Sequence, residues 1–209
     1  MQISLVLAPS LHYHFLKVQA LLLLAAGRRA SALGRFARML CLRPGDPYAL
    51  ASRGHLEAQL HLTQEAIASL QQLTTARPQQ AAAWFNLGYV LQQAGCHEEA
   101  GPAFERALAL DARLDRAWYG LALVHIHQQR WQEAAEALER NTALQPLGPY
   151  GWYRLAQVWL VLGEPGKARK VITHLRRFEP RVAAQLEREN AAALQTGGAP
   201  TSEAGHAAG

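Results

Sequence analysis

The strongest constraint on this chain is a period of 34 residues. Alanine recurs at Ala32, Ala66, Ala100, Ala134 and Ala168, and tryptophan keeps the same step at Trp84, Trp118 and Trp152. Leu87, Leu121 and Leu155 follow each tryptophan, then the small residues Gly88, Ala122 and Ala156. Proline closes the period at Pro44, Pro78, Pro146 and Pro180, with Ala112 standing in the one missing place. A large aromatic, a small residue four later and an alanine twelve after that is the pattern of two antiparallel helices joined by a short turn. Helices pack closely only where facing side chains are small, so the glycines and alanines mark the crossing points. Proline lacks the amide proton and ends each second helix. One such hairpin cannot cover its own apolar face, but stacked hairpins share a continuous core and curl into an array with a concave side.

Run backwards from Ala100, the register places five repeats at 13–46, 47–80, 81–114, 115–148 and 149–182. In the first two, Leu16 and Leu50 stand where tryptophan stands later, and Gln19 and Arg53 stand in the leucine place. Residues 1–12 read as a lead-in, with Pro9 and Ser10 entering the first helix. They show no basic region ahead of an apolar one, so no secretory signal is expected. The apolar run from Val18 to Gly27 is too short for a membrane span, which needs about 20 residues, and reads as a helix buried against its neighbours. Asp46 and Pro47 predict a helix N-cap and first position. Pro102 reads as first-turn proline in its helix. Residues 183–194 are expected to form a capping helix with a polar outer side. Residues 195–209 are too poor in apolar side chains to fold and are expected to be disordered.

Charge is uneven along the chain, which carries a net +5. Residues 1–46 hold six basic and one acidic group and 147–182 hold seven and two, whereas 47–114 hold four and six. Basic solvated helix faces account for this balance, and neither nucleic acid nor a membrane is the expected partner. Arginine outnumbers lysine eighteen to three and alanine is abundant, the usage of a GC-rich bacterial genome. Two cysteines, Cys41 and Cys96, make no disulfide framework, and a reducing, cytoplasmic compartment fits them. His12 and His14, and His125 and His127, are two apart, which on a helix points each pair to different faces. No metal site, cofactor or catalytic motif is expected, and the chain does not read as an enzyme.

The tryptophan, leucine, glycine and alanine positions quoted above resemble the tetratricopeptide repeat (TPR) family. The resemblance implies an all-α fold, an α-solenoid of about five helix-turn-helix TPR repeats with a C-terminal capping helix. It also implies a concave face lined by the first helix of each pair, at the second, fifth, ninth, twelfth and thirteenth positions of the repeat. Carried onto this sequence, those positions include Tyr48, His55 and Gln59; then Phe85, Tyr89, Gln92 and Gln93; then Arg116, Tyr119, Leu123 and His127; then Tyr150, Tyr153, Gln157 and Leu160. Of the carboxylate clamp used by chaperone-tail binders of the family, Asn86 and Arg116 match in type, while Ala51, His55 and Gly120 do not. The asparagine ladder of glycosyltransferase-linked arrays is absent. The strip is aromatic and amide-rich. Tyrosine offers wide contact with a hydroxyl for a peptide carbonyl, and glutamine can pair with an extended backbone.

The function these residues imply is a non-catalytic scaffold or adaptor that holds a peptide segment of another protein in the groove. Two alternatives stay open at this point. The basic stretch 167–177 suits an anionic surface, either nucleic acid or membrane head groups, and the chain could serve as the accessory subunit of an enzyme complex. Partner identity and oligomeric state are not legible.

Overall fold

The computed structural model describes residues 9–195. Most of the lead-in and nearly all of the tail expected to be disordered lie outside the described residues. Twelve α-helices and no strand occur among the described residues. In order they are α1 (Pro9–Ala25), α2 (Arg29–Leu42), α3 (Pro47–Gln59), α4 (Thr63–Ala76), α5 (Ala81–Gln93) and α6 (His97–Leu110). There follow α7 (Asp115–His127), α8 (Trp131–Leu144), α9 (Pro149–Val161), α10 (Pro165–Leu175), α11 (Pro180–Glu189) and α12 (Ala191–Gln195). The fold is all-α and built of helix-turn-helix repeats.

Two compact units divide the chain, Met1–Val124 and His125–Gly209. In the first, α1 packs on α2, α3 on α4 and α5 on α6, and these hairpins join where α2 meets α3 and α4 meets α5. In the second, α8 packs on α9 and α9 on α10, while α11 and α12 lie against α10.

The hairpin turns repeat at the same step as the sequence. Gly27, His61, Gly95, Gln129 and Gly163, each 34 apart, all hold φ between 59° and 78°. This left-handed region favours glycine, and two of the five turns occupy it without one. The five ladder alanines are all fully buried, and Phe36, Leu70, Phe104, Leu138 and Ile172, one turn on along the same helices, are at no more than 1 % exposure. The close approaches are tight. A Cβ built on Gly54 would stand 2.9 Å from the Leu70 side chain, and one on Gly88 the same distance from the Phe104 ring. Gly120 is closer still, its Cβ position lying 2.5 Å from Phe104 Cζ. The Phe104 ring is therefore wedged between a glycine of its own hairpin and one of the next helix.

Three expectations change at the level of side chains, those for the run from Val18, for Pro102 and for the segment after Pro180. The tryptophans pack against the core, Trp84 and Trp118 on that of the first unit and Trp152 against His174 of α10. They are half-buried at the joints, where Trp84, Trp118 and Trp152 each donate the indole N–H at 2.9 Å to a carbonyl six residues back, on Pro78, Ala112 and Pro146. Ala112 serves as well as proline because the acceptor is backbone. The run from Val18 is not buried throughout: Val18, Leu21 and Leu22 are exposed, while Tyr13, Leu16 and Ala20 bury the opposite side of α1. Pro102 is the sixth residue of α6, past the first turn, so its ring removes a bond that an amide there would make to Glu98. The segment after Pro180 is two helices broken at Asn190, whose side-chain amide donates to the Leu186 carbonyl at 2.9 Å.

Two polar ties organise the first unit. Glu57 is 2 % exposed, accepting from Arg53 Nε at 2.7 Å and Ser69 Oγ at 2.6 Å. Both carboxylate oxygens are thus occupied, as a buried charge requires. One, two and three periods on, Leu91, His125 and Trp159 are buried at the equivalent place. Asp46 caps α3, accepting from the Ala49 amide at 2.8 Å, and the same oxygen takes the Tyr13 hydroxyl at 2.8 Å. The Arg43 guanidinium lies 4.3 Å over the Tyr13 ring. Burial, and then the bond to Asp46, push the Tyr13 hydroxyl up from 10.0 to about 12.

Gly120→Ala should destabilise by about 1–3 kcal/mol, the usual cost of overpacking. Gly34→Ala, with nothing within 4 Å of its Cβ position in α2, should stabilise by about 0.5–1 kcal/mol. Thermal melts of the two variants moving in the same direction would refute the wedge. The Tyr13 tie makes a second prediction. A group whose pKa is raised on folding contributes stability that is complete below its unfolded value and lost as pH climbs to its folded value. Urea midpoints should therefore fall between pH 10 and about 12, and Tyr13→Phe should remove that part of the fall.

Candidate functional site

The first-helix residues singled out from the sequence fall in both units, and each unit treats them differently. In the first unit, α3 and α5 lie side by side. Their first-helix faces border a hollow of about 450 Å³ lined by His55, Ala58, Gln59, His61, Thr63, Tyr89, Val90 and Gln93. Four predicted residues, His55, Gln59, Tyr89 and Gln93, are thereby brought together. A turn of helix separates His55 from Gln59, and their side-chain nitrogens meet at 2.8 Å. Arg29 Nε donates to Gln59 Oε1 at 3.2 Å, so the Gln59 amide is held from both ends. Tyr89 is 50 % exposed and stacks on Phe85 with ring centres 6.3 Å apart.

Phe85 bridges this surface to the core. Its ring lies 6.1 Å from Phe104, and the Arg116 guanidinium sits 4.8 Å from its centre. Asn86, Gln92, Tyr119 and Leu123 are half-buried. Tyr48 stands apart from the hollow. It packs edge-on to Phe36 at 6.2 Å and carries Lys17 Nζ 4.0 Å over its ring. The electrostatics of the surface are one-sided. Helices α1, α3 and α5 carry a single carboxylate, the buried Glu57, whereas Glu65, Glu98, Glu99 and Glu105 all lie exposed on α4 and α6.

In the second unit the chain's own C-terminal helices stand against the predicted residues. A hollow of about 430 Å³ is lined by Gln157 and Leu160 of α9, by Ile126, Trp131, Arg154, Val158 and Val161, and by Asn190 and Ala193 after α11. The Tyr153 hydroxyl donates to Glu189 at 2.7 Å. That bond is the main reason the Tyr153 hydroxyl titrates above its ordinary value, with burial second. Glu189 is held below the usual carboxylate range by Gln185 and then by Tyr153. Arg154 donates to Gln157 at 3.0 Å. Tyr150 is 77 % exposed, and His127 is exposed at the end of α7.

The basic helix α10 is occupied by the same C-terminal segment. Arg169 donates to the Leu194 carbonyl at 2.7 Å, and Arg176 pairs with Glu187. Lys167 lies 4.1 Å over the Trp159 ring and 3.8 Å from Glu164. The His174 ring lies tilted against Trp152, with ring centres 4.4 Å apart. Arg169 and Arg176 thus reach the C-terminal segment and Lys167 and His174 reach α9, while Lys167, Arg169, Lys170, Arg176 and Arg177 all remain exposed. Among the described residues, no group of three or more His, Cys, Asp or Glu is placed to hold a metal ion, and no helix is long and apolar enough to cross a membrane.

The sequence reading missed several residues of these surfaces. Arg29, His61 and Thr63 come from the start of α2, the α3–α4 turn and the start of α4. For His61 a signal existed, since it stands one period from Gly27 and Gly95 and so had to sit in the turn. Glu189 had none, because its contact depends on how α11 folds back.

Two family models match the sequence, both described as tetratricopeptide repeat, one over residues 79–140 and the other over 119–178. The two hairpins whose tryptophans are replaced by leucine lie outside both. No curated protein is similar enough to the sequence to count as a relative. Among solved structures, MamA from Desulfovibrio magneticus RS-1 is similar at TM-score 0.73 and 20 % identity, covering 85 % of this chain and 96 % of that one. YrrB, described as a TPR protein with an unusual peptide-binding site, gives 0.70 and 18 %, covering 81 % and 88 %. PilF of Pseudomonas aeruginosa gives 0.67 and 19 %, covering 90 % and 97 %. At these identities the likeness is one of fold.

The Tyr153–Glu189 bond links α9 to α11, so Tyr153→Phe should speed amide exchange in α11 several-fold while leaving α3 to α6 unchanged. Hydrogen exchange that is equal in α11 of both proteins would show the bond to be incidental.

Proposed function

The chain belongs to the tetratricopeptide repeat family, and on that premise we propose that it is an adaptor whose first-helix face holds a peptide segment of another protein. A protein-interaction scaffold is what this fold supports in general. The finer reading rests on one observation, the hollow that gathers His55, Gln59, Tyr89 and Gln93 between α3 and α5. Its volume of about 450 Å³ suits a few side chains and not a globular surface. Tyr89 supplies a half-exposed aromatic already stacked on Phe85, so little freedom is lost when a ligand covers it. Gln93 and the His55–Gln59 pair offer donors and acceptors to an extended backbone. Lys17, Arg53 and Arg116 lie on the first helices, with no exposed carboxylate on α1, α3 or α5, so the favoured segment is neutral or acidic.

The anionic-surface reading is the weaker one, because Lys167, Arg169 and Arg176 already have partners in Trp159, Leu194 and Glu187, which leaves it the exposed Lys170 and Arg177. An accessory subunit of an enzyme complex would hold its partner by the same scaffold face, so that reading is compatible with the adaptor role.

Panning a library of random twelve-residue peptides against the chain tests the proposal. Enriched peptides should bind with micromolar dissociation constants, about −8 kcal/mol. Tyr89→Ala should weaken them at least tenfold, about 1.4 kcal/mol, with an unchanged melting temperature. Peptides that bind the variant and the parent alike would place the site elsewhere.

A further inference from the structure

Helix α1 is apolar on both sides, yet only one side is covered. Tyr13, Leu16 and Ala20 are buried against Ala32, Phe36 and Met39 in the core of the first hairpins. On the other side Leu11, Phe15, Val18 and Leu22 are each more than half exposed, with Leu21 beside them at 47 %. No described element lies over them. A helix that is apolar all round is a core helix, so this face calls for a second neighbour.

The spacing of the exposed residues says what kind of neighbour. From Leu11 to Phe15 to Val18 to Leu22 the steps are four, three and four. That is the a/d seam by which two helices pack at a shallow angle. The seam is close to symmetric about its centre, so it complements itself when a second copy runs antiparallel across a two-fold axis. Phe15 then meets Val18 of the other copy, and Leu11 meets Leu22. Its edges are His12, His14 and Gln19, and the only lysine or arginine of α1, Lys17, is turned away over the Tyr48 ring. There is no acidic residue in α1, so nothing of like charge opposes the pairing.

We infer that the chain forms a two-fold dimer through the α1 faces of two copies. Five side chains about half exposed on each copy bury on the order of 1,000 Å² between them, where specific interfaces begin. A head-to-tail contact fits less well, because the last long helix, α11, presents Arg181, Gln185 and Arg188 to solvent. A lipid surface fits less well too. An interfacial helix sets a basic polar face against its apolar one, whereas the far side of α1 is the hydrophobic core.

Light scattering on the size-separated full chain at tens of micromolar tests this. The parent should run at twice the chain mass of 23.0 kDa, that is 46 kDa, with a melting temperature that rises with concentration. Phe15→Glu and Val18→Glu should each run at the single-chain mass, keep the parent's helical circular dichroism and melt independently of concentration. Should either lose its helical signal, Leu22→Ser, at a position 65 % exposed, replaces it. Mixing Phe15→Lys with Val18→Glu should restore the double mass, as the antiparallel register requires. Tyr89→Ala should stay dimeric, which keeps this result separate from that of the peptide hollow. A parent at single-chain mass, or glutamate variants that remain dimeric, would overturn the inference. So would a monomeric parent that dimerises once residues 1–8 are deleted, which would give the face to the chain's own N-terminal segment.

Discussion

Everything in the first unit depends on how near two helix axes can come. The Phe104 ring lies where Cβ atoms would stand on Gly88 and Gly120, and it is fully buried. A ring occupying that space fixes both the separation of α5 from α6 and the seat of α7 on α6. The same device recurs with Leu70 against Gly54 one period earlier. Because interiors are packed to crystal-like density, a difference of one methyl group at such a crossing is felt by both helices. The alanine ladder serves this approach on the second helices, and its five members share the same complete burial.

Backbone polarity is handled at the joints. Each of the three indoles hands its N–H to a carbonyl of the turn, two residues past the end of the preceding second helix. The tryptophan therefore works as a clip between repeats, with its ring half in water. The first two hairpins lack it and use other ties, the Tyr13–Asp46 bond and the Glu57 network. Those ties are specific to their place, which agrees with the family models matching only from residue 79 onward.

The two units use the same face differently. In the first, the aromatic and amide residues of α3 and α5 border an open hollow, and the exposed Glu65, Glu98, Glu99 and Glu105 stand on α4 and α6. In the second, Tyr153 and Gln157 are engaged by Glu189 and Arg154, and Asn190 with Ala193 of α12 forms part of the wall. Residues at equivalent repeat positions thus have unlike surroundings. Tyr89 and Gln157, two periods apart, are exposed and half-buried respectively. Position in the repeat settles which helix a residue lies on and roughly which way it faces, but not what else comes to lie there.

The sequence by itself determined the period, and with it the all-helical repeat fold, the crossing points and the placing of every turn near a glycine or its stand-in. These are local properties: helical spacing, small residues and proline act within a few turns of chain. Through the family resemblance it also named four of the eight residues that line the hollow, His55, Gln59, Tyr89 and Gln93. Only the tertiary structure decided that His61 and Arg29 join them, that Glu189 closes on Tyr153, and that α1 keeps an apolar side uncovered. The reason is physical. Burial of a side chain is set by whether some distant element lies over it, and an apolar run such as Val18 to Leu24 reads the same whether or not one does.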